Sequence, residues 1–268
     1  LARKVRQEDF GQSEKYFEEA IELSKKLSDH PRLIKSLNGI GITYGMQDKY
    51  AEAIRHFNES VKLSVKYRYP DHEETSYSSL GIVYKRMGDY PSSLMYYSKS
   101  LKISEAMGNE EATGANYHNL GVLFDLMKEP KKSMEYYTKA LELYRKINSE
   151  RDIALLNENI AILHLKNSDF DKALELFHDA LNYYEANSQI YNTANVHSNL
   201  GNTYYKMREF TRAESHLQPA LETAETHNLV QLKSMVLYNL AKIKAEQGYF
   251  SQSLALARRV EEVTDSTA

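Results

Sequence analysis

Asparagine recurs at a forty-residue interval, at Asn119, Asn159, Asn199 and Asn239. Asparagine is a poor residue for a helix interior, so its return at one register asks for a cause. A carboxamide both donates and accepts hydrogen bonds, and a row of them matches the backbone of an extended peptide. Helices packed side by side would set the rows roughly 10 Å apart. An extended chain covers that in about three residues. The competing role for each amide is a bond to a neighbouring helix. Seven residues further along, Arg86, Lys166 and Lys206 recur at a second register. Long cations beside amides suit a carboxylate-bearing or phosphorylated ligand, with solvated surface charge as the alternative. Asn202, Tyr205 and His118 share the same free helical arc, and a tyrosine there is a common anchor.

Other chemistry is missing its parts. The nine histidines show no His-x-x-x-His pair on one helix face, so no metal site is expected. No glycine-rich phosphate loop and no Gly-x-Ser-x-Gly elbow is present. With no cysteine, disulfides, thiolate ligands and thiol catalysis are excluded. The expectation is a chain that is not an enzyme, with no catalytic residues and no cofactor. Lys plus Arg is 34 against 37 for Asp plus Glu, a net charge of −3. That balance argues against nucleic acid as a partner of this fragment. No apolar run approaches the roughly 20 residues of a membrane helix, so no membrane segment is expected. The charge and cysteine content suit both cytoplasm and periplasm; base rates favour a cytoplasmic protein. The chain starts at Leu1 without a methionine, which is expected of a piece excised from a longer sequence.

The elements that would position these residues follow a forty-residue period. Gly41, Gly81, Gly121, Ala161, Gly201 and Ala241 form one column, preceded by Ile40, Leu80, Leu120, Ile160, Leu200 and Leu240. Tyr44, Tyr84, Phe124 and Tyr204 form a second, Ala53, Ser93, Ser133, Ala173, Ala213 and Ser253 a third, and Phe57, Tyr97, Tyr137, Phe177 and Leu217 a fourth. Leu37, Ile40, Gly41 and Tyr44 stand at i, i+3, i+4 and i+7, and Ala53, Phe57, Ser60 and Val61 mark a second helical face. Each unit is thus a helix pair. Gly108-Asn109 and Asn148-Ser149 read as helix stops. A glycine inside a helix costs about 1 kcal/mol relative to alanine; the expected gain is close approach of two helix backbones. One pair cannot cover its own apolar faces, so pairs must stack.

The columns Ile40-Gly41, Tyr44, Ala53, Phe57 and Ser60 resemble the tetratricopeptide repeat, and Leu80-Gly81, Leu120-Gly121 and Leu200-Gly201 match its Leu-Gly signature in full. The unit length of 40 departs from the family's usual 34. Long units of this kind are similar to those of Leu-Gly-Asn-repeat adaptors, kinesin light chains and bacterial peptide-sensing regulators. The resemblance implies an all-α, right-handed superhelical solenoid of antiparallel helix pairs. It also implies a concave surface that holds a protein or peptide segment, with asparagines at places matching Asn119, Asn159, Asn199 and Asn239 gripping the partner's backbone. The dicarboxylate clamp of shorter repeats is matched only loosely by Asn202, Arg86 and Lys206, so a chaperone C-terminal tail is not expected.

The expected organisation is a single solenoid over 1–268. It has a partial unit at 1–29 and repeats at 30–69, 70–109, 110–149, 150–189, 190–229 and 230–268, with the leading helix cut to about Leu1 to Glu8. Pro219 falls inside a second helix, where a kink or an early end is expected. The expected function is non-catalytic binding of an extended peptide in the groove. The alternatives are a ligand-sensing regulatory domain of a larger bacterial signalling protein and a scaffold that self-associates through its ends.

Overall fold

The computed structural model describes residues 10–265. Among them every element is a helix: α1 Phe10–Lys26, α2 His30–Met46, α3 Tyr50–Tyr67, α4 Pro70–Arg86, α5 Tyr90–Ala106, α6 Glu110–Leu126, α7 Pro130–Lys146, α8 Glu150–Lys166, α9 Phe170–Ala186, α10 Ile190–Lys206, α11 Phe210–Thr226, α12 Val230–Glu246 and α13 Phe250–Asp265. The truncated leading helix expected at Leu1 to Glu8 lies outside the described residues. The chain divides into two compact units, Leu1–Ile147 and Asn148–Ala268.

The forty-residue repeat is built from two halves of twenty. A residue with positive φ ends each half: Ser28, Asp48, Arg68, Gly88 and so on to Gly248. The next residue caps the following helix, and Asp29, Asp89 and Asn109 accept hydrogen bonds from the backbones of Arg32, Ser92 and Ala112. At one such turn the Asp89 amide donates to the Tyr84 carbonyl at 3.0 Å and the Gly88 amide to that of Lys85 at 3.1 Å. These are the two bonds of a Schellman stop, which satisfies carbonyls left over at the helix end. Pro91 and Pro130 sit in the first turns of α5 and α7, where a missing amide hydrogen costs little.

In the first unit, α2/α3, α4/α5 and α6/α7 pack as pairs, with α1 against α2. In the second unit the pairs are α8/α9, α10/α11 and α12/α13. The glycine columns are explained more by rings than by backbones. A Cβ on Gly41 would stand 2.7 Å from the Phe57 ring, on Gly81 2.5 Å from that of Tyr97, and on Gly121 2.4 Å from that of Tyr137. Where the third column is serine, its hydroxyl crosses to the first helix. Ser93 donates to the Gly81 carbonyl and Ser133 to the Gly121 carbonyl, both at 2.8 Å.

Pro219 does not end its helix, which corrects one of the two outcomes expected for it: α11 runs unbroken through it to Thr226. Pro219 is exposed while Leu217, Ala220, Leu221 and Ala224 are buried. The core contacts on both sides carry the helix through the hydrogen bond that the proline cannot make.

Candidate functional site

The first helix of each pair is packed on several sides, and what remains open decides the candidate surface. In the first unit the open positions recur at i, i+7 and i+11: Lys35, Ile42 and Met46 on α2; Thr75, Ile82 and Arg86 on α4; Ala115, Val122 and Leu126 on α6. These side chains are exposed or half-buried, whereas their neighbours Leu37, Ile40, Leu80, Val83, Leu120 and Leu123 are in the core.

Two hollows lie on this surface. A cavity of about 490 Å³ opens between α2, α4 and α6, with Lys35, Asn38, Glu74, Thr75 and Ala115 among its lining residues. Its floor is polar and organised. The Asn38 side-chain Oδ1 accepts from the Ser76 hydroxyl at 3.1 Å, and Ser76 in turn meets Ser60 at 2.8 Å. Glu74 accepts from the Ser100 hydroxyl and the Asn116 amide, each at 2.8 Å. Next to it a smaller, more apolar hollow of about 170 Å³ is lined by Ile42, Met46, Phe57, Ile82 and Arg86, among others. The Arg86 guanidinium donates to the Gly45 carbonyl at 3.1 Å, so it spans from α4 to α2.

The residues singled out in the sequence are distributed unevenly. Asn119 is half-buried on α6 and is not among the residues lining either hollow. His118 beside it faces the Tyr137 ring at 6.0 Å between centroids. In the second unit the Asn159 amide donates back to the Leu155 carbonyl at 2.9 Å. Asn199 donates to the Glu158 carboxylate at 3.1 Å, and Asn195 donates to the same oxygen. Asn239 is buried, with 8 % of its surface exposed. Asn202 is half-buried, and Lys166 and Lys206 are exposed. Tyr205 donates its hydroxyl to Glu246, and Lys242 sits 4.6 Å over its ring. The Glu246 carboxylate raises the Tyr205 phenol to about 12, so it stays protonated as a donor.

The register of the amide column explains this pattern. Gly39 stands first in that column, and a Cβ there would lie 2.1 Å from the Phe17 ring of α1. In α2 the column therefore faces the seam with the preceding second helix. Gly39 still borders the cavity beside Lys35, one turn earlier on the same helix, and Ser79 of the same column lines the smaller hollow, but neither carries a side-chain amide.

Sequence reasoning missed Asn38, Glu74 and Thr75, and with them Lys35. Positions 35 and 38 lie outside the arc of Leu37, Ile40, Gly41 and Tyr44 on a helical wheel, and their columns lead to Lys35, Thr75 and Asn38, whereas Glu74 falls in the column of the buried Ile34 and no periodic signal points to it. Glu158 was also missed. Its carboxyl is buried and pushed up to about 7 by burial, against the opposing hydrogen bond from Asn195.

The repeat columns and their helix pairs carry a recognised pattern: the tetratricopeptide repeat matches residues 4–64, 72–146 and 152–226. The chain belongs to the tetratricopeptide repeat family. No curated protein matches this tetratricopeptide repeat chain in sequence. Solved structures share its fold. BtubC from P. vanneervenii is 22 % identical, with 82 % of this chain and 92 % of that chain covered at a TM-score of 0.72. A Rap protein complexed with competence and sporulation factor is 12 % identical, with 98 % and 72 % covered and a TM-score of 0.75. The apo form of the quorum sensor NprR from B. thuringiensis is 13 % identical, with 98 % and 84 % covered and a TM-score of 0.64. Among the described residues, no helix of this tetratricopeptide repeat chain is long and apolar enough to cross a membrane.

Proposed function

We propose that this chain is a non-catalytic binding module that holds an extended peptide segment against the open faces of its first helices. The observation that carries this reading is the pair of adjoining hollows on the first unit. One is polar, with its floor groups held by hydrogen bonds, and the other is apolar beneath Ile42 and Ile82. A peptide needs both: amide partners for its backbone and a greasy slot for an anchoring side chain. Pre-set floor groups lower the ordering cost of binding. The Rap complex and the quorum sensor NprR lend further support, because the fold they share is there complexed with competence and sporulation factor or belongs to a quorum sensor. Asn119, Asn159, Asn199, Asn239, Asn202, Arg86, Lys166, Lys206, Tyr205 and His118 stay in the proposal as contacts on the same helices. Those already bonded within the protein, Asn199 and Tyr205 above all, would have to exchange partners on binding.

The test starts from peptides selected on the purified chain from a displayed library. Thr75→Arg and Ile82→Lys change exposed or half-open groups of the two hollows without touching the core. Each is expected to weaken the selected peptides at least tenfold while the helical circular dichroism stays unchanged. Affinity that survives both substitutions would remove the hollows as the site.

Self-association is a second reading. It is favoured by Tyr249, Phe250 and Leu254 on and next to α13, which are exposed at 54 %, 73 % and 54 %. Light scattering over a range of concentrations would detect it as a rising mass, and a constant mass would dismiss it.

A further inference from the structure

Three imidazoles that lie far apart in sequence come together in the second unit. His178 is on α9, His197 on α10 and His216 on α11. The Nδ1 atoms of His197 and His216 face each other at 3.0 Å, with ring centroids 5.2 Å apart. The His178 ring stands 6.3 Å from that of His216. Two nitrogens so close cannot both carry a proton along the line between them, so at least one presents a bare lone pair. A cation bonded to both at about 2.0–2.1 Å would hold them roughly 3.3 Å apart at the tetrahedral angle. That needs an opening of a few tenths of an ångström.

The surroundings fit a metal ligand set. The Glu185 carboxylate lies 3.8 Å from His197 Nε2, one small rotation from a hydrogen bond. A carboxylate on the far nitrogen is what orients metal-bound histidines, and here it would leave Nδ1 free to bind. Tyr204 stacks on the His216 ring at 5.5 Å and 12°, which fixes its plane. Burial, with the neighbouring imidazoles, lowers His216 to about 4. Its ring is therefore neutral at neutral pH, as a ligand must be. Among the described residues no three histidine, aspartate, glutamate or cysteine groups already converge on one point. The third group therefore has to move in, and His178 is the one placed to do so: it is exposed on the open face of α9, where its χ1 and χ2 can turn.

We propose that His178, His197 and His216 bind a borderline divalent transition-metal cation, such as Zn²⁺, with water completing the shell. Imidazole donors select Zn²⁺, Ni²⁺ or Cu²⁺ over Mg²⁺ and Ca²⁺, which prefer oxygen. The bound ion would cross-link three successive helices, and binding to the folded state alone raises its stability.

The test uses the whole chain, stripped with a chelator that is then removed. Titration calorimetry with zinc chloride is expected to give one saturable site per chain in the micromolar range. Thermal unfolding should shift upward by several degrees on saturation. Cobalt(II) should give the visible absorption of a tetrahedral nitrogen site. His216→Gln, checked for folding by circular dichroism, should abolish the site. His178→Ala, an exposed change that leaves the fold alone, should weaken it at least fivefold. His227→Ala, a histidine elsewhere in the same unit, should leave it unchanged. The absence of saturable zinc binding overturns the proposal. So does binding unaltered by His178→Ala, because the third ligand is then misassigned.

Discussion

Gly121 on α6 lies beneath the ring of Tyr137 on α7: a Cβ built on the glycine would come within 2.4 Å of the ring's Cδ1. Ser133, one turn before Tyr137, donates to the Gly121 carbonyl at 2.8 Å, so ring contact and hydrogen bond hold the same spot. Gly121→Leu therefore overpacks a fully buried joint and is expected to cost about 1–3 kcal/mol. Gly121→Ala should also destabilise, even though alanine gains about 1 kcal/mol in helix propensity. Urea unfolding of the two variants reads both effects, and an unchanged midpoint for Gly121→Ala would mean the ring moves aside freely.

Lys128 occupies the left-handed position that ends α6, with φ of 60°. Its side chain is exposed, so the strain of that backbone is not offset by packing. Glycine pays little for φ above zero. Lys128→Gly is expected to stabilise the chain by about 1 kcal/mol, and Gly88→Ala at the matching turn to destabilise it by a similar amount. Differential scanning calorimetry would show the two melting temperatures moving in opposite directions.

Glu158 ties the second unit's stability to pH. Its folded value of about 7 lies above the ordinary 4.5, because burial disfavours the charge. The native state therefore keeps a proton that the unfolded chain has released. This contribution is fully present below about pH 4.5 and is lost as pH rises through about 7. Glu158→Gln, which keeps the oxygen that Asn195 and Asn199 need, removes the loss. The variant should match the parent near pH 4.5 and exceed it by about 1–3 kcal/mol at pH 8. Denaturant midpoints across that range decide it, and a difference independent of pH would show that the carboxyl titrates normally.

Pro219 interrupts the hydrogen-bond ladder of an otherwise regular α11. The residue is exposed, so alanine there fits without repacking and restores the bond to the Ser215 carbonyl. Pro219→Ala is expected to stabilise by about 1–3 kcal/mol. Chemical unfolding checks this, and a loss of stability would mean that the proline itself is built into the packing of its neighbours.

The helix pairs and the packing columns were legible in the sequence because packing is periodic. Gly41, Gly81 and Gly121 announce themselves forty residues apart, and the rings that cover them recur sixteen residues later in each copy. Local signals also marked the turns at Gly108 and Asn148, where backbone conformation restricts residue choice. What tertiary structure alone decided was the fate of each open-looking arc. A helical wheel supplies an angle about one axis, but burial depends on how many neighbours press on that helix. Asn199 looked free and is held by Glu158, while Thr75, one helical turn from the amide register, opens on a cavity. His178, His197 and His216 stand 19 residues apart, one short of the twenty-residue half-unit, so each belongs to a different helix and only the stacking of three helices sets them side by side. Sequence period encodes what every repeat must do to pack; polar groups that differ from copy to copy meet only in space.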